Sequence, residues 1–321
     1  MSLKNQTQGT PPFHAGEIAI QQRMGVEKKA AAMGQRFIRD FMPAQHREFY
    51  AQLPFILVGS LDEQQRPWAS ILTGAKDFIT APNDVTLNFR AKPLSGDRLN
   101  ENLKLDANFG FLGIELATRR RNRVNGKVSA VTDAGFAVHV AQSFGNCPQF
   151  IQKRRLQWLP ERLKHPVNRA QSFDHFTADM HRLISKADSF FMASSFNNHK
   201  NLNNQGVDIS HRGGKPDFVK LEGDRQFIFP NFAGNNFYNT LGNLHLNNRV
   251  GILFVDFETG DLLSLTGTAE IIWESDELTS FTGAEQLIRI TAEEIVSMPE
   301  VLPFSWDFEE YSPAHAFVGD W

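Results

Sequence analysis

The chain has 321 residues, 41% hydrophobic and 21% charged, with a formal net charge of −3 and one cysteine. That length suits one large domain or two of about 100–200 residues. The bulk charge gives no ground for nucleic acid or a membrane surface as partner, and a lone cysteine excludes an internal disulfide and fits a cytoplasmic setting.

Residues 1–12 read as a polar, disordered lead without the apolar core of a signal peptide. No stretch approaches 18 uninterrupted apolar residues, so no bilayer span is expected. Helices are predicted over 16–23 and 26–41, the second favoured by Ala30-Ala31-Ala32. After a break at Pro43 another short helix is predicted over 45–52. Strands then dominate. They are predicted over 55–59, which ends at the polar turn Asp62-Glu63-Gln64-Gln65, and over 68–73, 85–89, 109–116, 127–131 and 136–140. Residues 150–177, rich in Lys, Arg, His and Gln, read as a linker with helical pieces around Pro160 and Pro166. A second β-rich block spans 188–273. Beyond it a helix is predicted over 292–298, with Thr291 as N-cap and Glu294 completing a capping box. Phenylalanine outnumbers tyrosine 28 to 3. Phe has no polar tip to satisfy, so this bias suits tight β cores and apolar ligand walls.

The segment Asn102-Leu103-Lys104-Leu105-Asp106-Ala107-Asn108-Phe109-Gly110-Phe111-Leu112 returns as Asn243-Leu244-His245-Leu246-Asn247-Asn248-Arg249-Val250-Gly251-Ile252-Leu253. The same offset carries Gly126 onto Gly267. Upstream, Arg66-Pro67 and Lys215-Pro216 each precede a strand in the same order, and the extra residues of the second half fall in the Asn-rich loop 197–205. A unit of roughly 100 residues repeated twice implies a duplicated domain rather than a solenoid. The expected division is an extension (1–52), a first barrel (53–149), a helical linker (150–184), a second barrel (185–275) and a tail with a helix (276–321). Each unit has five or six short strands and one helical piece, 97–105 or 236–246, and closing into a barrel would hide the sheet edges.

The second copy carries Phe227-Ile228-Phe229-Pro230, Gly234-Asn235-Asn236, Asn239-Thr240-Leu241-Gly242-Asn243 and Asn247-Asn248-Arg249-Val250-Gly251. It resembles the flavin-binding split barrel of the pyridoxamine 5'-phosphate oxidase family. The run Gly206-Val207-Asp208-Ile209-Ser210-His211-Arg212-Gly213-Gly214-Lys215-Pro216 resembles a signature of one branch of that family, as does Ser143-Phe144-Gly145-Asn146-Cys147-Pro148-Gln149-Phe150-Ile151. The resemblance covers residues 50–155 and 185–275. It implies a mainly β fold with α elements: two tandem Greek-key split β-barrels, preceded by helices and binding FMN. The family usually holds its flavin between two barrels of a homodimer. Here duplication would put both in one chain, and a homodimer of the whole chain is still expected. A lysine that the family often places near Asn236–Asn239 is absent, so phosphate charge must be met elsewhere.

Ser210, His211, Arg212, Gly213, Gly214 and Lys215 are the first candidates for that role. Arg offers a bidentate fork, Lys a point charge, Ser a hydroxyl, and the glycines let backbone amides approach an anion. The same run would also serve as a solvated β-turn. Asn235, Asn236, Asn239 and Thr240 cluster donors at a predicted helix start, where they fit an anion site or plain capping. Arg121 and Arg123, in the basic run after an apolar strand, would reach a phosphate or a second ligand, or else face solvent. Trp68 and Ser70 stand where the family's strand flanks the flavin ring; packing in a β core is the alternative. Cys147 lacks any paired catalytic motif. No H-E-x-x-H, C-x-x-C, G-x-S-x-G or G-x-G-x-x-G occurs, so neither a metal site nor a Rossmann domain is expected. Three functions stay open. They are an FMN-dependent oxidoreductase acting on a small molecule or fed by an electron donor, a flavin carrier or sensor without turnover, and a haem-binding split barrel.

Overall fold

The computed structural model describes residues 11–164, 169–198, 202–319 and 321. Most of the expected disordered lead, residues 1–10, lies outside the described residues, as does Pro166 in the linker. Helices α1 (Ala15–Arg23), α2 (Glu27–Phe37) and α3 (Ala44–Ala51) come first. His14 caps α1: its ring accepts from the Gly16 N–H while Glu17 accepts from the His14 N–H. Helix α2 stops at Phe37 rather than at residue 41. Ile38 turns extended, and Arg39 forms a β-bridge with Ser143 instead.

The first sheet contains β1 (Phe55–Leu61), β2 (Pro67–Thr73), β3 (Ile79–Thr80), β4 (Thr86–Phe89), β5 (Asn108–Glu115), β6 (Arg120–Thr132) and β7 (Gly135–Gly145), with helix α4 (Leu99–Asn102) before β5. Strand β6 extends well upstream of the expected 127–131. Its charged start pairs residue by residue with β5, Ile114 facing Arg121 and Leu112 facing Arg123. A short connection follows, with β8 (Lys153–Trp158), α5 (Pro160–Lys164), β9 (Gln171–Phe173) and α6 (Ala178–Lys186). The second sheet contains β10 (Ser189–Phe196), β11 (Gly206–Gly213), β12 (Lys220–Glu222), β13 (Gln226–Phe232), β14 (Arg249–Val255), β15 (Leu262–Ile272) and β16 (Ala284–Met298). Helix α7 (Asn239–Leu246) precedes β14, and α8 (Asp276–Ser280) precedes β16. Strand β17 (Phe304–Glu310) then pairs with β8 as a separate ribbon.

Strand order is β2-β1-β5-β6-β7-β4-β3 in one sheet and β11-β10-β14-β15-β16-β13-β12 in the other. The two sequences of neighbours are the same, and the pairings match. Gly110 faces Gly59 as Gly251 faces Ala193, and Phe109 faces Gly126 as Val250 faces Gly267. All these pairings are antiparallel, and among the described residues neither sheet closes: its two edge strands, β2 and β3 in one and β11 and β12 in the other, do not pair with each other. The expected closure is thus replaced by a split barrel. The fold is mainly β with α: two tandem split β-barrels behind N-terminal helices.

Two further expectations are corrected. Residues 292–298 are not a helix but the second half of β16, a central strand paired with β15 and β13. Leu287, Ile288, Ile290, Ala292, Ile295 and Val296 are buried there, and a fifteen-residue ladder outweighs a local capping pattern. Thr291 instead accepts from Gln226 Nε2 at 2.9 Å, and Glu294 pairs with Arg66 at 2.9 Å. Second, Arg66-Pro67 corresponds by register to Gly206-Val207, not to Lys215-Pro216, which follows β11.

Separate apolar clusters fill the two barrels. A third joins them, with Leu57, Trp68, Ile71, Leu112, Phe191, Ile209, Leu253 and Leu262 packed together. The repeated glycines explain how close the barrels lie. A Cβ on Gly110 would sit 2.6 Å from the Val207 carbonyl oxygen, and one on Gly251 2.5 Å from that of Pro67. Any larger residue would push the units apart. Among the described residues no helix is long and apolar enough to cross a membrane.

Candidate functional site

Because the barrels meet face to face, alternate residues of β6 point at the second unit instead of at water. This places Arg121 and Arg123 opposite β11, whose register presents Ser210, His211 and Arg212. The remaining walls come from Asn146 and Cys147 after β7, Asn231 and Phe232 at the end of β13, and the segment 234–241. The cleft holds about 620 Å³ of free space including its open mouth.

Helix α7 starts at Asn239, later than expected, because Asn236 (φ 63°) and Tyr238 (φ 57°) are left-handed. That kinked approach turns Asn235, Asn236, Tyr238, Asn239 and Thr240 into the cleft. Asn235 is fixed by donating to Asn146 Oδ1 at 3.2 Å and accepting from the Phe237 N–H at 3.1 Å. Thr240 Oγ1 donates to Ser210 Oγ at 3.1 Å.

The charge of the cleft is one-sided. Arg123 Nη1 donates to Asp208 at 2.7 Å, a pair that is more than nine-tenths buried. Arg212 Nη1 donates to Asn231 Oδ1 at 2.6 Å, and Arg121 Nε to the Cys147 carbonyl at 2.6 Å. Three guanidiniums thus face one carboxylate. Burial, then the neighbouring Arg123 charge, pushes Arg121 down to about 9 and Arg212 down to about 10. Burial pushes the His211 imidazole well below its ordinary range, with Arg121, Arg154 and Arg212 adding to the effect. His211 Nδ1 lies 3.4 Å from Arg121 Nη1, which can only donate. Nδ1 therefore accepts, and the neutral ring carries its proton on Nε2. Among the described residues that Nε2 has no acceptor, and neither do Arg123 Nε, Arg212 Nε and Asn146 Nδ2. All four are buried donors. An unsatisfied buried donor costs about 1–3 kcal/mol, and all four belong to residues that line the cleft. Phe232, Tyr238 and Leu241 form its apolar side.

Of the residues singled out in the sequence, Arg121, Arg123, Ser210, His211, Arg212, Asn235, Asn236, Asn239 and Thr240 come together here. Gly213 and Gly214 do not line the cleft: they pack against Phe150 and Phe218. Lys215 lies past the end of β11. Trp68 and Ser70 are fully buried on β2, away from the cleft. Trp68 Nε1 donates to Asp62 at 3.1 Å and Ser70 Oγ to Asp97 at 2.6 Å. Asp208, Asn146, Asn231 and Tyr238 were missed as site residues. The first two belong to the resembling runs, while nothing in the sequence marks the others.

No family model matches the chain, and no curated protein matches it. Among solved structures it is similar to a variant of HupZ from Group A Streptococcus, at 20% identity and a TM-score of 0.30, covering 38% of this chain and 99% of that one. It is similar to a putative pyridoxamine 5'-phosphate oxidase from Lactobacillus delbrueckii, at 13% identity and a TM-score of 0.30, covering 38% and 94%. It is also similar to an FAD binding protein from Mycobacterium smegmatis, at 12% identity and a TM-score of 0.27, covering 40% and 99%. The assignment of this chain as tandem split barrels stands on its own strand order.

Proposed function

We propose that the chain is a flavin-binding protein that holds FMN in the cleft between β6, β11 and α7, and that it acts as an FMN-dependent oxidoreductase on a small molecule. The observation that carries this reading is a cleft lined by three arginines with four buried donors unpartnered among the described residues, two of them the Nε groups of Arg123 and Arg212. They fit the oxygens and charge of a phosphate monoester. Arg121, Arg123 and Arg212 would neutralise it, with His211 Nε2 and Asn146 Nδ2 completing its hydrogen bonds. Phe232, Tyr238 and Leu241 would exclude water from the aromatic part. A flavin would supply hydride or electron transfer through its ring system, while the chain binds, orients and shields.

The matched strand order also supports descent of the two units from one duplicated barrel, with the second reaching through β16. Denaturing the purified protein and identifying the released chromophore tests the reading. Flavin bands and FMN are expected. A Soret band would favour the haem-binding alternative, and a colourless protein that fails to take up FMN would remove the proposal. Oxidation of NADH or NADPH by the loaded protein would separate an oxidoreductase from a carrier.

A further inference from the structure

Behind the cleft wall lies α1, from the extension that neither barrel needs for its sheet. It meets α7 backbone to backbone: a Cβ on Gly242 would stand 2.5 Å from the Glu17 nitrogen. His14 Nε2 contacts Asn243 Oδ1 at 2.9 Å, and Gln21 Nε2 donates to the Phe237 carbonyl at 3.0 Å. The central tie is Glu17, only 4% exposed. It accepts from the His14 N–H at 2.7 Å and from Asn239 Nδ2. Asn239 cannot turn its amide over, because its Oδ1 accepts from Arg123 Nη1 at 3.2 Å. A continuous relay therefore joins a carboxyl of the N-terminal helix to a guanidinium that lines the cleft.

We propose that Glu17 is a positioning residue for the anion site, holding Asn239 and through it Arg123, with its proton setting how much positive charge the cleft presents. This rests on the reading of the cleft as an anion site. Four groups decide the behaviour. Burial pushes Glu17 up to about 8, and Asp208 on β11 adds to the rise. The hydrogen bonds from His14 and Asn239, and the charge of Arg123 on β6, oppose it. His14 itself is held down to about 4 by burial, so it stays neutral while Glu17 titrates. At neutral pH the carboxyl keeps its proton, and three guanidiniums face Asp208 alone. Once it ionises, a second negative charge stands beside Arg123. A bound anion and an ionised Glu17 oppose each other, so affinity falls as pH rises through the Glu17 transition.

The test measures affinity for FMN and for sulfate, with the full chain, across the range from about pH 7 to about pH 9. The FMN phosphate, with a second pKa of about 6, stays doubly charged throughout, and sulfate does not change charge. Wild type is expected to lose about five- to tenfold in affinity over this range. Glu17→Gln should bind like wild type at the low end and lose only about twofold by the high end, the part that belongs to Arg121, held down to about 9. Glu17→Ala should show the same small fall, but bind more weakly at the low end, because Asn239 loses its acceptor. A wild type that shows no fall, or a Glu17→Gln variant that keeps the wild-type fall, overturns this role; the second outcome would assign the pH dependence to other groups such as Arg121. Failure of wild type to bind either anion at any pH overturns the cleft reading itself, and this role with it.

Discussion

Where the cleft presents Arg121 and Arg123 from β6, the matching positions of β15 are Leu262 and Ser264. Where β11 presents Asp208, His211 and Arg212, β2 carries Trp68, Ile71 and Leu72. Leu99 stands in the place of Thr240 at the repeat offset. The scaffold bonds are nevertheless kept. Asn102 Nδ2 donates to Ser60 Oγ at 2.9 Å, and Asn243 Nδ2 to Ser194 Oγ at 3.0 Å. Trp68, Ile71 and Leu262 join Phe304 and Trp306 in the core shared by the barrels. One topology therefore yields two crevices with opposite contents, a polar cleft with spare donors and a sealed apolar wall. Topology fixes where a ligand site can form, and a few side chains per crevice decide whether one does.

The largest expected break in this comparison comes from the sealed side. Trp68→Ala should cost about 3–5 kcal/mol of stability, read as a shift in the denaturation midpoint, because it empties a fully buried position. FMN affinity should hardly change. A large loss of affinity with little loss of stability would mean that Trp68 belongs to a ligand site after all.

Arg212→Ala gives the converse. It should weaken FMN binding by about 1.5–3 kcal/mol, the range for a hydrogen bond to a charged group, and cost the ligand-free fold less than that, since relief of crowding among like charges offsets the donor lost to the buried Asn231 Oδ1. Unchanged affinity in a titration would take Arg212 out of the site.

A smaller effect sharpens the contrast through pH. Asp97, bonded to Ser70 on the sealed side, is pushed up to about 6 by burial, against the pull of its bonds from Ser70 and the Leu99 N–H. The folded state thus holds this proton more tightly than the unfolded chain. The protonated carboxyl stabilises most at low pH, and that benefit is lost as pH rises from about 4 to about 6. Asp97→Asn keeps an acceptor for both donors without the charge. Its stability relative to wild type should climb by about 1–2 kcal/mol over that interval and then level off. Denaturation curves that stay parallel across the interval would show that Asp97 titrates normally.

Much of this was legible in the chain. The repeat marked the two glycines that let the barrels touch, and the apolar runs at 55–59 and 68–73 located the first hairpin. What escaped depends on the contact between barrels. The Arg120-Arg121-Asn122-Arg123 run left open whether Arg121 and Arg123 reach a ligand or face solvent; it begins a strand whose alternate residues face the other unit. The family pattern placed Trp68 and Ser70 beside a ligand. At the equivalent positions of the second copy Asp208 pairs with Arg123 and Ser210 lines the cleft, and nothing local says which copy keeps the site. The capping pattern at Thr291–Glu294 was genuine in sequence, but pairing with β15 along its length and with β13 at Thr291 turned it into strand.

Equilibrium titration of the ligand-free, full-length chain with FMN, followed by flavin fluorescence at protein concentrations well above the dissociation constant, tests the central claim most directly. One FMN per polypeptide is the predicted end point, whatever the oligomeric state. Two per polypeptide would show that the Trp68 crevice opens to ligand, and none would contradict the account of the arginine cleft as an FMN site.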